Sequence, residues 1–409
     1  MTETGKARSH NYLRQIKGTV IYKAVAVVAS YIAVPMMIHY LGAEKFGIWS
    51  TLLSIISWMV FFDLGVGHGL RNKVTESLAK DSRADAASYI ASGYTMIGIL
   101  ALGLWIILMT ASFFIPWQSV FNTKILPESD LRFTLQLTAS FILFNFWTGL
   151  ITALLNAIQK SSLLALRQVI TNLMVLALIW ILSRTTTASL PLLAIAYGVS
   201  LVLANSLLSG WFFRTYADLK PRIAMEKQRI RDLLGIGSQF FVIQIAMLVM
   251  FATDKLLITQ LIGPAFVTGY DVVFKLFGVI TFAHGLIVFP LWSAYAEAYH
   301  RGDVIWIRRM LKKQVRIFFM LWVAAGAMIL FAKPIINVWI GPDIEIADSL
   351  ILAMGFFVII SAWHNMFAMF VNGIGAIKPI LYAKMVGMVI NIPLSIFRAY
   401  RVVTHTYRM

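Results

Sequence analysis

Runs of about twenty apolar residues, the length a helix needs to cross the hydrocarbon layer of a bilayer, recur along the whole chain. They constrain it more than any motif does. The runs fall at 19–40, 47–66, 88–114, 132–157, 163–183, 190–213, 234–261, 267–292, 317–339, 348–371 and 380–397. Apolar residues make up 59% of the chain and charged residues 13%, whereas a soluble domain is about 45–50% apolar and about 25% charged. No soluble fold of this length hides so much apolar surface. The expected fold class is all-α, a polytopic membrane protein of about eleven spans.

A formal net charge of +17 would suit nucleic-acid binding if the cations formed a contiguous patch. Instead they sit in short clusters between apolar runs, as cytoplasmic loops do. With the N-terminus inside, inner segments hold Lys6, Arg8, Arg14, Lys17 and Lys23, then Arg71, Lys73, Lys80 and Arg83, then Lys160 and Arg167. Further along come Arg214, Lys220, Arg222, Lys227, Arg229 and Arg231, then Arg301, Arg308, Arg309, Lys312, Lys313 and Arg316, and last Lys378 and Lys384. That places twenty-five Lys and Arg inside, against five outside: Lys45, Lys124, Arg132, Arg184 and Lys333. The asymmetry predicts a cytoplasmic N-terminus. Residues 1–17 are polar and basic, and no small-residue cleavage pattern follows the first apolar run, so no signal peptide is expected. The chain has no cysteine, which excludes disulfides, thiolate metal sites and a cysteine nucleophile.

The longest outer connection, 115–131, is too short for a folded catalytic domain. The turn Tyr40-Leu-Gly-Ala-Glu-Lys-Phe-Gly-Ile-Trp49 after the first span is echoed by Leu261-Ile-Gly-Pro-Ala-Phe-Val-Thr-Gly-Tyr270 after the seventh. Allowing one inserted residue, Gly42 and Gly47 meet Gly263 and Gly269, as two repeats related by an axis along the membrane normal would require. The expected organisation is a six-helix bundle over 1–213, a cytoplasmic linker over 214–233 and a bundle of about five helices over 234–397. A basic segment, 398–409, follows. An eleventh span followed by Arg398, Arg401 and Arg408 puts positive charge outside, so the chain is expected to be truncated or frame-shifted near Phe397, with an incomplete second bundle.

Ionisable residues at membrane depth usually face a cavity, a partner or an ion path. Asp63 lies near the inner end of the second span, Asp254 and Lys255 in the seventh, and Asp271, Lys275 and His284 in the eighth. Asp271 and Lys275 are four apart on one helix, so they either neutralise each other or serve substrate or proton binding. Asp254 and Lys255 are adjacent and point about 100° apart, so at least one should meet another helix or a water-filled cavity. In Asp63-Leu-Gly-Val-Gly-His-Gly-Leu-Arg-Asn72 three glycines alternate at the end of an apolar helix, which is not the strand-to-helix context of a dinucleotide loop. Either the glycines unwind the helix and hold Arg71 at the level of a lipid phosphate, or they stop a helix before an ordinary inner-loop arginine. His39, His68 and His364 lack metal-ligand spacing. No Gly-x-Ser-x-Gly or Walker A sequence occurs, so neither an enzyme nor an ATPase is expected, and no metal or cofactor is called for.

Through its 40–49 and 63–72 motifs, and through its long basic inner loops, the chain resembles bacterial O-antigen flippases, the polysaccharide-transport branch of the MATE-like exporter superfamily. The resemblance implies two bundles of about six helices around a central cavity in the bacterial inner membrane. It implies a transporter that flips undecaprenyl-diphosphate-linked oligosaccharide from the cytoplasmic to the periplasmic leaflet for lipopolysaccharide synthesis. Carried residue by residue, it points to Lys23, Arg71, Lys255 and Lys275 for the anionic head, with Asp63, Asn72, Asp254 and Asp271 beside them and a proton or cation as coupling ion. Implied partners are membrane lipids, the O-antigen polymerase and a chain-length regulator, with no nucleic acid. A peptidoglycan-precursor flippase or a cation-coupled drug exporter of the same superfamily fits the pattern as well. A polymerase or ligase fits less well, because it would need a large outer loop.

Overall fold

The computed structural model describes residues 3–60, 65–158, 160–235, 253–289, 291–344, 346–374 and 386. Among them every regular element is helical, and the protein is a polytopic all-α membrane protein. Eight helices are long and apolar enough to span a bilayer: Thr19–Leu41, Arg83–Ala111, Glu128–Ala157, Ser162–Thr185, Leu190–Thr215, Pro264–Val288, Val304–Trp339 and Asp348–Asn372. Predicted spans one, three to six and eight to ten fall on these. The second falls on a shorter helix, Ala43–Val60, that begins with Glu44 and Lys45. Most of the seventh, the eleventh apart from Val386 and the 398–409 segment lie outside the described residues.

The chain divides into two compact units, Met1–Pro264 and Ala265–Met409. In the first, α1 (Glu3–Leu41) packs along α8 (Ser161–Thr185), α8 along α9 (Leu190–Thr215), and α9 along α6 (Glu128–Thr148). Lying against α6 are α2 (Ala43–Val60) and α4 (Arg83–Ala111). Small residues allow the close approaches expected between helices in lipid. A Cβ on Gly198 of α9 would stand 2.2 Å from Cγ of Phe141 on α6. Lipid takes the outer faces: only 17% of the most apolar window of α4 is buried, against 56% for the helix containing α6.

At one end of this unit the chain makes α3 (Val66–Ala79), which the span pattern leaves inside a loop. Gly65, at φ 73°, holds a left-handed conformation that glycine adopts without strain, and it starts α3 in a new direction. Val66, Gly69, Leu70, Val74 and Ser77 form the buried face, an i, i+3, i+4 stripe that packs on Ile90 and Tyr94 of α4 and Leu154 of α7 (Ile151–Ala157). Gly69 lies so close to Leu233 that a Cβ would meet the Leu233 carbonyl oxygen at 2.4 Å. The alternate glycines of the 63–72 motif are thus a bend and a backbone contact.

The first unit also holds α5 (Trp117–Val120), α10 (Asp254–Leu261), a 3-10 turn at Ala217–Leu219 and helical residues 227–235. In the second unit, α11 (Pro264–Val288) meets α14 (Asp348–Gly373) through Phe274 and Phe357 and through Val288 against Ala368 and Met369. Tyr295 of α12 (Leu291–His300) inserts between Trp306 of α13 (Val304–Trp339) and Phe370 of α14. The echoed turns share one backbone device: Gly42 ends α1 at φ 79° and Gly263 follows α10 at φ 131°, both conformations that favour glycine.

Candidate functional site

The residues expected to act on substrate fall in several places. Lys23 is exposed on α1, and Arg71 and Asn72 are exposed on α3, one position apart on the side away from its core stripe. Asp63 lies outside the described residues. Asp254 and Lys255 open α10, and Lys255 Nζ donates to Ser50 Oγ on α2 at 2.8 Å. One turn further, Thr259 and Thr51 share a buried hydroxyl hydrogen bond of 2.6 Å. Asn122 donates to the carbonyls of Thr259 and Gln260 at 3.3 Å, and Gln260 donates back to Ser119 O at 3.0 Å and to Val120 O. A Cβ on Gly47 would stand 1.7 Å from the Pro264 carbonyl oxygen, so only glycine fits there. Lys255 is therefore held on a clasp between α2 and α10. Asp271 and Lys275 are partly buried, one turn apart on α11 of the second unit.

A polar cluster at membrane depth joins three helices of the first unit, and its cation is Arg167. Counted above with the inner loops, Arg167 is in fact the seventh residue of α8, about 9 Å into the helix at 1.5 Å per residue. Its guanidinium donates to Asn205 Oδ1 on α9 at 3.3 Å, and its buried Nε has no hydrogen-bond partner among the described residues. Asn205 is fully buried. Its amide nitrogen donates to Asn145 Oδ1 on α6 at 2.7 Å and lies 3.4 Å from Thr148 Oγ1. Those donations turn the Asn205 oxygen toward Arg167. On α9 the ring of Tyr197 meets Trp49 of α2 edge-on, with centroids 5.6 Å apart.

The electrostatics of this cluster are one-sided. By sequence, the carboxylates of α1, α2, α4 and α6 all stand in the first turn, and α8 and α9 have none. An amide oxygen does not neutralise a guanidinium, and a partly desolvated charge without a counter-ion costs several kcal/mol. The arrangement fits an anion that arrives from outside the chain, because a guanidinium presents a fork of donors to phosphate or carboxylate. Asn145 and Asn205, in mid-span, escaped the reading of ionisable residues because they are uncharged. The signal for Arg167 was its place inside the apolar run 163–183, beyond Lys160.

The end of the unit that carries α3 is different: its carboxylates are consumed by internal pairs. Glu76 binds Lys73 at 3.1 Å and Lys80 at 2.7 Å, and these bonds hold its carboxyl below the usual range. Arg83 binds Asp218 at 2.8 Å and lowers that carboxyl too. Arg229 pairs with Asp85, lies 3.4 Å from Glu226 and stacks 4.5 Å from the Tyr89 ring centre. Contact with Tyr89, and then with Asp85, raises its guanidinium further above its ordinary value. Tyr89 in turn donates to Asp232 at 2.8 Å. These pairs tie the 217–235 segment to α4.

The model of the family described as polysaccharide biosynthesis protein matches residues 16–295, well over half of the chain. The chain belongs to the polysaccharide biosynthesis protein family. A second model, MatE, matches residues 240–397. Two curated relatives of this family member bear names that mention O-antigen. One, from Yersinia pseudotuberculosis, is named "Putative O-antigen export protein" and is 21% identical over 88% of this chain and 82% of its own length. The other, from Salmonella typhimurium, is named "Putative O-antigen transporter" and is 26% identical over 85% of this chain and 80% of its own length. Among solved structures, a multidrug resistance MATE family transporter of the MOP superfamily in its inward-facing conformation superposes with a TM-score of 0.74 at 13% identity. It covers 94% of this chain and 99% of its own. This family member has the MATE transporter fold.

Proposed function

We propose that this protein flips undecaprenyl-diphosphate-linked O-antigen oligosaccharide from the cytoplasmic to the periplasmic leaflet of a bacterial inner membrane. The reading is supported by the family, by the names of the two relatives and by the transporter fold. The observation that carries it to a phosphate-bearing substrate is Arg167, a cation at membrane depth whose described partner is a neutral amide. In this reading Arg167 and Asn205 bind the diphosphate. Lys23, Arg71, Asn72, Lys255 and Lys275 guide the anionic head, while Asp63, Asp254 or Asp271 takes a coupling proton or cation. Transport proceeds by alternating access. The Lys and Arg asymmetry orients the N-terminus to the cytoplasm, and the O-antigen polymerase and chain-length regulator receive the product.

Expression in a strain lacking its own O-antigen flippase tests this. The protein should restore surface O-antigen and clear lipid-linked O-units from the cytoplasmic leaflet. Single Lys255→Ala and Asp254→Ala variants should lower that activity, and full activity in both would remove them from the mechanism. Drug or cation efflux with no effect on O-units would instead assign the protein to the exporters that share its fold.

A further inference from the structure

Five of the six cations of the 301–316 segment, read above as a loop, lie on a helix. The helix α13 runs from Val304 to Trp339 and contains no Asp or Glu. Ile307, Gln314, Ala325, Ala332 and Ile336 form its buried face. At about 100° per residue these five project within an arc of about 40°. Arg308, Arg309, Lys312, Lys313 and Arg316 project from the opposite side, within about 140°, and all five are exposed. None of the five makes an ion pair or hydrogen bond with another described residue. This is unlike the other basic end of the chain, where Lys73, Lys80, Arg83 and Arg229 all meet carboxylates.

The same exposed arc continues into apolar residues. Phe319, Val323 and Leu330 lie on the line of Arg308, Lys312 and Arg316 by helical angle, and they are 64%, 74% and 77% exposed. Arg316 and Phe319 are less than one helical turn apart. A single molecule lying along this face would therefore meet cations at one end and an apolar track at the other. That is the layout of a phospholipid whose headgroup carries net negative charge.

We propose that this face of α13 is a binding site for anionic phospholipid, with headgroup phosphate on Arg308, Lys312 and Arg316 and acyl chain along Phe319 and Val323. Two cation columns about 100° apart, 308–312–316 and 309–313, suit a lipid with two phosphates, such as cardiolipin, better than one with a single phosphate. Zwitterionic lipid gains little there, because its own cation opposes the stripe. Scattered loop charge would favour anionic over zwitterionic lipid by net charge alone; the paired columns add a preference for two phosphates over one.

Native mass spectrometry of the full-length protein in detergent, titrated with cardiolipin, phosphatidylglycerol or phosphatidylcholine, tests the assignment. Wild type should retain cardiolipin most strongly and phosphatidylcholine least. Juxtamembrane cations contribute about 1 kcal/mol each, so the triple variant R308Q/K312Q/R316Q should weaken cardiolipin retention at least about tenfold. The charge-conserving triple R308K/K312R/R316K should retain it, and so should a K220Q/R222Q control in the first unit. A folded, monodisperse R308Q/K312Q/R316Q protein with wild-type cardiolipin adducts would overturn the proposal. If that triple fails to fold, the single K312Q variant and the loss of wild-type adducts with rising salt decide in its place. Equal adducts at low and high salt would likewise overturn it.

Discussion

Replacing Arg167 by Met separates a cation kept for stability from one kept for a ligand. Methionine has a similar length and no charge, so the change removes the 3.3 Å bond to Asn205 and the buried, unpartnered Nε together. Leaving Asn205 Oδ1 without its donor costs about 1–3 kcal/mol. Against that, the variant no longer holds a desolvated cation with no carboxylate beside it, a relief of similar or larger size. Stability should therefore change by no more than about 1 kcal/mol in either direction. Transport should not survive as well: a charge-assisted bond to phosphate contributes about 1.5–3 kcal/mol, which is about 10–150-fold in substrate affinity. Arg167→Lys keeps the charge but not the fork of donors and should fall between the two. The assays are thermal melting in detergent and surface O-antigen in a flippase-deficient strain. Wild-type O-antigen with Arg167→Met would refute the reasoning. So would a melting loss equivalent to more than about 3 kcal/mol that Arg167→Lys restores, because the guanidinium would then be structural.

Other consequences are local. Gly47→Ala places a methyl 1.7 Å from the Pro264 carbonyl oxygen and should lower stability by at least about 1–3 kcal/mol, read as a lower melting temperature; Gly103→Ala, where nothing lies within 4 Å, should be neutral. The Tyr295 hydroxyl is buried and has no partner among the described residues, so Tyr295→Phe should leave stability unchanged or raise it by about 1 kcal/mol. Burial pushes the Tyr295 phenol up to about 12, from an ordinary value of 10.0. Wild type should therefore lose stability as pH rises from the unfolded value toward the folded one, and Tyr295→Phe should lose less over that window, as alkaline melting curves would show. Lys255→Met should weaken the clasp on α2 at Ser50; an unchanged melting temperature together with full transport would leave that lysine without either role.

Eight of the eleven apolar runs coincide with helices long and apolar enough to span a membrane, because length and hydropathy act on each helix alone. What depends on partners was harder to read. Gly65 and Gly69 act differently, one as a bend and one as a contact with Leu233, and nothing in a run of alternate glycines separates them. The amphipathic α3 was hidden because its buried stripe spans only 66–77, short of the length that signals a span. Arg167 was grouped with loop cations because charge counting assigns a residue to a side before it assigns it to a depth. The stripe on α13 was read as a loop for the same reason: its cations interrupt the hydropathy of a helix that continues through them. Gly42 and Gly263 were legible as an echo, and their shared positive φ gives that echo a backbone cause.

Leaflet-resolved labelling of lipid-linked O-units is the sharpest test of whether a substrate phosphate meets Arg167. In flippase-deficient cells expressing the wild-type chain, the units should be reachable by a membrane-impermeant probe from the periplasmic side. With Arg167→Met at equal protein level they should remain confined to the cytoplasmic leaflet. Equal periplasmic labelling in the two strains would contradict the account.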